Sequence, residues 1–428
     1  MMHFLVESAE FALRWLHVIA AIAWIGESFY FVALDRGLKT PKQPQPGLAG
    51  ESWSVHGGGF YHKQKYLPAP AQLPEELHWS KWKAYTTWLS GLALITLLYF
   101  TSPRLYLIDP SVAALSPGES ISYALLFLLA AWLIYDALCR LFGNREALLG
   151  LLVALLVVGL CYVATHLFSG RAAFVLVGAA LGTIMSANVF FVIIPGQRRM
   201  VTALCRGEAP NPLDGQRGKQ RSVHNTYFTL PVVFAMLSNH FAAAHAHPQS
   251  WIVLALFMAA GALIRQFFVL WHSGTRAWGM LVAGGALMLF AFAWLAPSPQ
   301  AATRSATEQA TVGAAANHLE ATGTAETQPT EPALPATMES VRAILEKRCT
   351  DCHSAKPRLM SMPPKGAAFD SIAEIERYAA LIERQTVTMR IMPPGNMTQM
   401  TEAERDAIAR WFATRSNPAA GIDSAPPH

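Results

Sequence analysis

Charge is what this chain has least of. Asp, Glu, Lys and Arg make up 14% of 428 residues while hydrophobic types reach 53%, where a soluble domain carries roughly a quarter charged residues. That balance excludes an ordinary soluble enzyme. Cysteine is scarce as well: five thiols imply no disulfide framework. Cys139, Cys161 and Cys205 lie scattered among apolar stretches and read as small apolar side chains. No second Cys/His pair follows Cys349 and Cys352 at zinc spacing, which argues against a structural zinc site. Internal repeats and paired broken helices, the marks of many transporters, are not evident. The basic residues form no patch suited to nucleic acid, because they sit in short loops between apolar runs.

Those apolar runs are what the sequence has in abundance. Stretches of the length that crosses a bilayer, about 17 to 25 residues, occur at Trp15 to Leu34, Ala84 to Phe100, Ile121 to Leu138, Ala147 to Leu167, Ala172 to Pro195, Tyr227 to Ala246, Trp251 to Trp271 and Ala277 to Ala296. The expected fold is all-α: an eight-helix transmembrane bundle over residues 1–296, then a linker and a small all-α domain. The first span is too long for a removable signal peptide and lacks a basic leader and a small-residue cleavage site. Arg36, Lys39, Lys42, Lys63, Lys65, Lys81 and Lys83 lie between spans one and two, and Arg198, Arg199, Arg206, Arg217, Lys219 and Arg221 between spans five and six. Lys and Arg collect on the cytoplasmic side. Residues 35–83 are therefore expected to form a cytoplasmic loop, with both termini in the periplasm of a bacterial inner membrane.

Residues 297–337, rich in Ala, Thr, Glu, Gln and Pro, cannot bury enough surface to fold and read as a flexible tether. Behind it, Cys349-Thr350-Asp351-Cys352-His353 spells C-x-x-C-H, the attachment motif of a covalent c-type haem: two thioethers and one axial histidine. Met392, in Met392-Pro393-Pro394-Gly395, is the expected sixth ligand, with Met389, Met397 and Met400 as rivals. Thr401-Glu402-Ala403-Glu404 forms a capping box ahead of an amphipathic last helix. Residues 338–416 are thus expected to be a periplasmic cytochrome c domain, followed by a tail at 417–428.

The segment between spans one and two does not look like lipid filler. It holds Gly57-Gly58-Gly59, which permits close approach of backbone to another surface, and Trp53, Phe60, Tyr61, Trp79 and Trp82, which are suited to stacking on a flat heterocycle. The stretches GESWSVHGGGFYHKQKY, ELHWSKWKAYTTWLSG, LHVIAAIAWIGESFYF and HNTYFTLPVVFAMLSNHF resemble the PuuD-type membrane-bound urate hydroxylases, also called membrane urate oxidases, and the likeness spans the whole chain. It implies an eight-span domain joined to a cytochrome c. It also implies oxidation of urate to 5-hydroxyisourate, with water supplying the oxygen and electrons passing to the cytochrome instead of directly to dioxygen; the tether would let that cytochrome reach a soluble cytochrome c or terminal oxidase as acceptor. The resemblance transfers no catalytic residues.

Candidate site residues come instead from depth and chemistry, since intramembrane charges are costly and usually functional. Glu27, Asp136, Arg265, His224 and Asn225 all fall toward the expected cytoplasmic side. Arg265 and Asn225 suit the anionic and amide edges of a purine, with Trp53, Phe60 and Tyr61 as an aromatic lid. Glu27, His56 or His224 would take protons. His17 and His240, with His166 behind them, fall toward the other side and are candidate ligands for a b-type haem, because a core about 30 Å thick separates a cytoplasmic substrate from a periplasmic haem. Two other functions fit the same features: a quinol- or porphyrinogen-oxidising membrane cytochrome, and a purine transporter or sensor carrying a redox domain.

Overall fold

The protein is seen in a computed structural model that describes residues 2–296, 334–359 and 363–416. Most of the expected tether and the whole of the expected tail lie outside the described residues. Two compact units emerge, Met1–Ala291 and Phe292–His428.

The first unit is built from α1 (Met2–Gly37), α2 (Trp82–Ile95), α3 (Pro103–Tyr106), α4 (Pro117–Phe142), α5 (Glu146–Leu167), α6 (Gly170–Ala187), α7 (Ile194–Cys205), α8 (Pro212–Leu237), α9 (Ala242–His245), α10 (Ser250–His272) and most of α11 (Trp278–Leu295), whose last turn runs past Ala291. Local chemistry sets the starts. Ser116 and Glu119 form a capping box with Pro117 in the first turn of α4. Asn211 accepts from the Leu213 amide ahead of Pro212 in α8.

Among the described residues, six helical stretches are long and apolar enough to cross a membrane: Ser8–Gly37, Pro117–Phe142, Glu146–Leu167, Gly170–Cys205, Ser250–His272 and Trp278–Leu295. The other two expected spans are less plain. α2 has 14 residues and gains length only through a π-helical turn, Thr96–Phe100. α8 carries Asp214, Arg217, Lys219 and Arg221 in its first half and gives way at Ser238 to a 3-10 turn. Large apolar side chains such as Phe11, Trp15 and Ile22 on α1 and Leu151 and Leu155 on α5 are exposed, a surface suited to lipid rather than water.

The core runs along α6, where Ala172 to Leu181 is almost wholly buried, between α4, α5 and α8. Gly178 lets α8 approach: a β-carbon there would stand 2.7 Å from the Ala235 β-carbon, which has no rotamer to escape by. Gly178→Ala is therefore expected to destabilise the unit by about 1–3 kcal/mol through overpacking, read as a lowered thermal midpoint in detergent.

The all-α expectation needs one correction. Leu48–His56 and Gly59–Tyr66 form an antiparallel hairpin, β1 and β2. Gly57 and Gly58, with φ of 57° and 79°, make the two-residue turn that matches strand twist. The glycine run therefore serves chain reversal, and nothing stands within 4 Å of a β-carbon built at Gly57 or Gly58. The hairpin is tied to the end of α1: Lys65 Nζ lies 2.6 Å from Asp35 Oδ1, and the Lys63 ammonium sits 4.9 Å from the Tyr30 ring centroid.

The second unit contains α12 (Met338–Arg348), α13 (Ile372–Glu383) and α14 (Glu402–Ser416). Val341, Leu345, Ile375, Ile408 and Trp411 meet in its core. The expected capping box is present, with the Thr401 amide donating to Glu404 and the Glu404 amide to Thr401 Oγ1. Met400, one of the rival ligands, is buried in this core.

Candidate functional site

One face of α8 meets a buried polar network shared with residues of α4 and of the turn that follows α6. Arg221 donates from Nη2 to Asp136 Oδ1 at 2.7 Å and from Nη1 to Asn188 Oδ1 at 3.2 Å. Asn188 Nδ2 donates to Asn225 Oδ1 at 2.8 Å and to the Tyr135 hydroxyl at 3.2 Å. Asn225 Nδ2 donates to the Met185 carbonyl at 3.0 Å. The Tyr135 hydroxyl lies 2.8 Å from His224 Nδ1, and Arg140 Nε holds the second Asp136 oxygen at 2.6 Å. Arg221, His224, Asn225 and Phe228 recur at intervals of three or four, the spacing that puts side chains on one helix face. Beside the network opens a cleft of about 1700 Å³ whose lining includes the polar Asp136, Arg221, His224 and Tyr227 and the apolar Val157 and Met258.

The candidates from sequence separate into distinct places. Glu27, Ser28 and Phe29 are consecutive on α1, and at 100° per residue they fan out to three neighbours. Glu27 is held by Lys83 at 2.7 Å and by Ser80 on the α2 side. Ser28 meets Thr226 of α8 at 3.0 Å. Phe29 lies under Arg265 of α10, the guanidinium carbon 3.9 Å from the ring centroid. Glu27 and Arg265 therefore sit on different sides of α1. Asn225 has its amide engaged by Asn188 and Met185. His224 lines the cleft; Arg265 and Asn225 do not.

Arg265 itself is unusual. It is 3% exposed, yet its Nε and Nη2 have no hydrogen-bond partner among the described residues. Next to it Gln266 takes a hydrogen bond from the Tyr227 hydroxyl. A buried guanidinium with free donors is costly unless something anionic arrives.

His56 is exposed at the hairpin tip, and Trp53, Phe60 and Tyr61 are exposed as well. Trp53 stacks on His62 at 4.3 Å, and His62 meets Glu51 at 2.9 Å. The Glu51 carboxyl is held below the usual range by the Lys42 amide and then by His62. His17 places Nδ1 3.0 Å from the Thr87 carbonyl and 3.1 Å from Ser90 Oγ, with Gly91 making room for the ring. His240 is exposed in the 3-10 turn, and His166 is exposed and bonded to the Tyr162 carbonyl. Among the described residues no group of three or more His, Cys, Asp and Glu side chains could hold a metal ion.

Sequence reasoning missed Tyr135 and Asn188, and it took Arg221 for a loop charge. The signal within reach was helical spacing: Arg221 falls one turn before His224 and Asn225.

In the second unit Cys349 caps α12, with the His353 amide donating to the Cys349 carbonyl at 2.7 Å. Burial pushes the Cys349 thiol up to about 12. His353 Nδ1 pairs with the Ala367 carbonyl at 2.8 Å and the ring stacks on Phe369 at 4.7 Å. A carbonyl acceptor puts the proton on Nδ1 and leaves the Nε2 lone pair free, the arrangement an axial imidazole needs. Met392 is half-buried, its carbonyl taking a hydrogen bond from Arg405 at 3.1 Å. These residues fit a covalently held haem.

Comparison with curated proteins and with solved structures gives no match. A family model described as Urate oxidase N-terminal matches residues 3–296, a stretch that takes in the hairpin and every helix from α1 to α11. The apolar helices, the buried polar network and that match lead to one conclusion: the chain belongs to the urate oxidase N-terminal family, as a urate-oxidase-related membrane protein.

Proposed function

We propose that this oxidoreductase converts urate to 5-hydroxyisourate, with two electrons and two protons leaving the purine and water adding to it. The observation that carries the reading is Arg265, buried and with two nitrogens that have no partner among the described residues, in a unit that belongs to this family. Urate is a planar anion, and a guanidinium donates to such an edge through two nitrogens in one plane. Phe29 holds that plane from below. Arg265 does not line the cleft beside His224, but Tyr227, which does, is bonded to Gln266, the chain neighbour of Arg265; the proposed substrate space runs from the cleft past that pair to the guanidinium.

The residues suited to holding a haem are Cys349 and Cys352 as thioethers with His353 and Met392 as axial ligands, and when bound it would accept electrons one at a time for a soluble cytochrome c or terminal oxidase. We further propose eight spans, adding α2 with its π-helical turn and α8 to the six, in a bacterial inner membrane with both termini periplasmic.

The test is an anaerobic optical titration of the oxidised full-length protein with urate, followed by a pyridine haemochrome assay. Urate alone is expected to produce the reduced c-type spectrum. A second, b-type signal is the expectation attached to His17 and His240. If a quinol reduces the protein and urate does not, the urate function fails. Met392→Ala is expected to remove the far-red methionine-sulfur charge-transfer band and to lower the reduction potential. Survival of the band would move the ligand to Met389 or Met397.

A further inference from the structure

The orientation of the two asparagines beside His224 follows from donors and acceptors that have no choice. Arginine only donates, so the Asn188 atom 3.2 Å from Arg221 Nη1 is its oxygen. A backbone carbonyl only accepts, so the Asn225 atom 3.0 Å from Met185 O is its nitrogen. Asn225 therefore offers its oxygen to Asn188, and the Asn188 nitrogen spends one hydrogen there and the other on the Tyr135 hydroxyl. Tyr135 thus accepts from Asn188, and its own hydrogen faces His224 Nδ1 at 2.8 Å, with the softer Cys139 sulfur as the weaker rival acceptor. Nδ1 is then an acceptor, and a neutral ring that accepts at Nδ1 carries its proton on Nε2. A doubly protonated ring would instead add a third cation to a network in which Arg221 and Arg140 already share the one carboxylate of Asp136. Cys139 Sγ, 3.9 Å from the same nitrogen, is at most a weak partner.

We infer that His224 serves the cleft as a hydrogen-bond donor through Nε2, selecting a planar occupant that presents a carbonyl or anionic oxygen, with Tyr135 and Asn188 as positioning residues. This role rests on the urate function for the identity of the occupant, though not for the tautomer. It assigns recognition to a histidine that sequence alone offered as a base.

Glutamine can place an amide N–H near the position of Nε2, whereas asparagine reaches only as far as Nδ1. His224→Asn is expected to raise the KM for urate about tenfold, the value of one lost hydrogen bond, with kcat much less affected. His224→Gln is expected to restore most of that affinity. Tyr135→Phe, which frees Nδ1, is expected to raise KM about as much as the Asn variant, while the c-haem spectrum and thermal midpoint report that each variant has folded. If His224→Gln loses kcat as His224→Asn does, with KM unmoved, the ring is a proton acceptor and the donor role is overturned. An unchanged KM in a folded Tyr135→Phe variant overturns the positioning role.

A second measurement needs no urate. In 15N spectra of the histidine-labelled full chain, the signals that vanish in His224→Gln are expected to show a bare Nδ1 and a protonated Nε2. The opposite pattern overturns the inference even if urate proves to be the substrate. The expected pattern in a protein that urate fails to reduce would sink the urate function alone.

Discussion

Replacing Arg265 by Leu is expected to cut kcat/KM for urate by at least about thirtyfold while leaving the thermal midpoint unchanged or raised. The two effects have one cause. Arg265 is 3% exposed, and Nε and Nη2 lack partners among the described residues, so the resting protein bears the desolvation of a cation without hydrogen bonds to offset it. Leucine removes that cost and packs on Phe29, and exchange of a buried charge for an apolar side chain of similar volume is commonly neutral or stabilising. Charge-assisted hydrogen bonds to an anion, by contrast, contribute about 2 kcal/mol each, which corresponds to the thirtyfold loss. Steady-state urate oxidation and a melting curve on the same preparation check both halves. Full activity would remove Arg265 from the site, and a lowered midpoint would make it structural.

Arg221→Leu is expected to do the reverse. This arginine is equally buried, at 4% exposed, but it is paired: Asp136 and Asn188 occupy Nη2 and Nη1. Its removal strands the Asp136 carboxylate in the bundle with only Arg140, whose side chain is 75% exposed, to face it. Breaking a buried pair from one side costs about 3–5 kcal/mol, and the lower end is expected because Arg140 remains. The double variant Arg221→Leu/Asp136→Leu should recover most of the loss, since an apolar pair leaves no charge unpaired. Thermal unfolding of the two single variants and the double variant gives the coupling directly. If Arg221→Leu melts with the unaltered protein, the network does not support the fold.

The two arginines illustrate how legible the site was. Arg221 stands in the sequence between two apolar runs and Arg265 within one, and Arg265 drew attention because a charge inside a span is rare. Arg221 did not, since positive charges between spans usually set topology. Only its position one helical turn before His224 hinted otherwise. Glu27 was grouped with Arg265 by depth alone, but depth carries no azimuth. The rotation of α1 sends Glu27 to Lys83 and Phe29 to Arg265. The hairpin was legible in principle, because Gly57-Gly58 between alternating residues is a strong turn signal. Its aromatic content drew attention to ligands instead.

What the sequence determined by itself is what depends on neighbours within a few residues: the apolar lengths that become helices, the caps at Ser116 and Thr401, and the Cys349, Cys352 and His353 spacing. Each of these is a local energy, settled by one turn of chain. The tertiary structure alone decided which polar atoms meet. Tyr135 and His224 are 89 residues apart and Asp136 and Arg221 are 85 apart, brought together because α4 and α8 both pack against α6. In lipid-like surroundings a buried polar group must find its partner inside the protein, and which one it finds depends on helix rotation and packing, which no local spacing specifies.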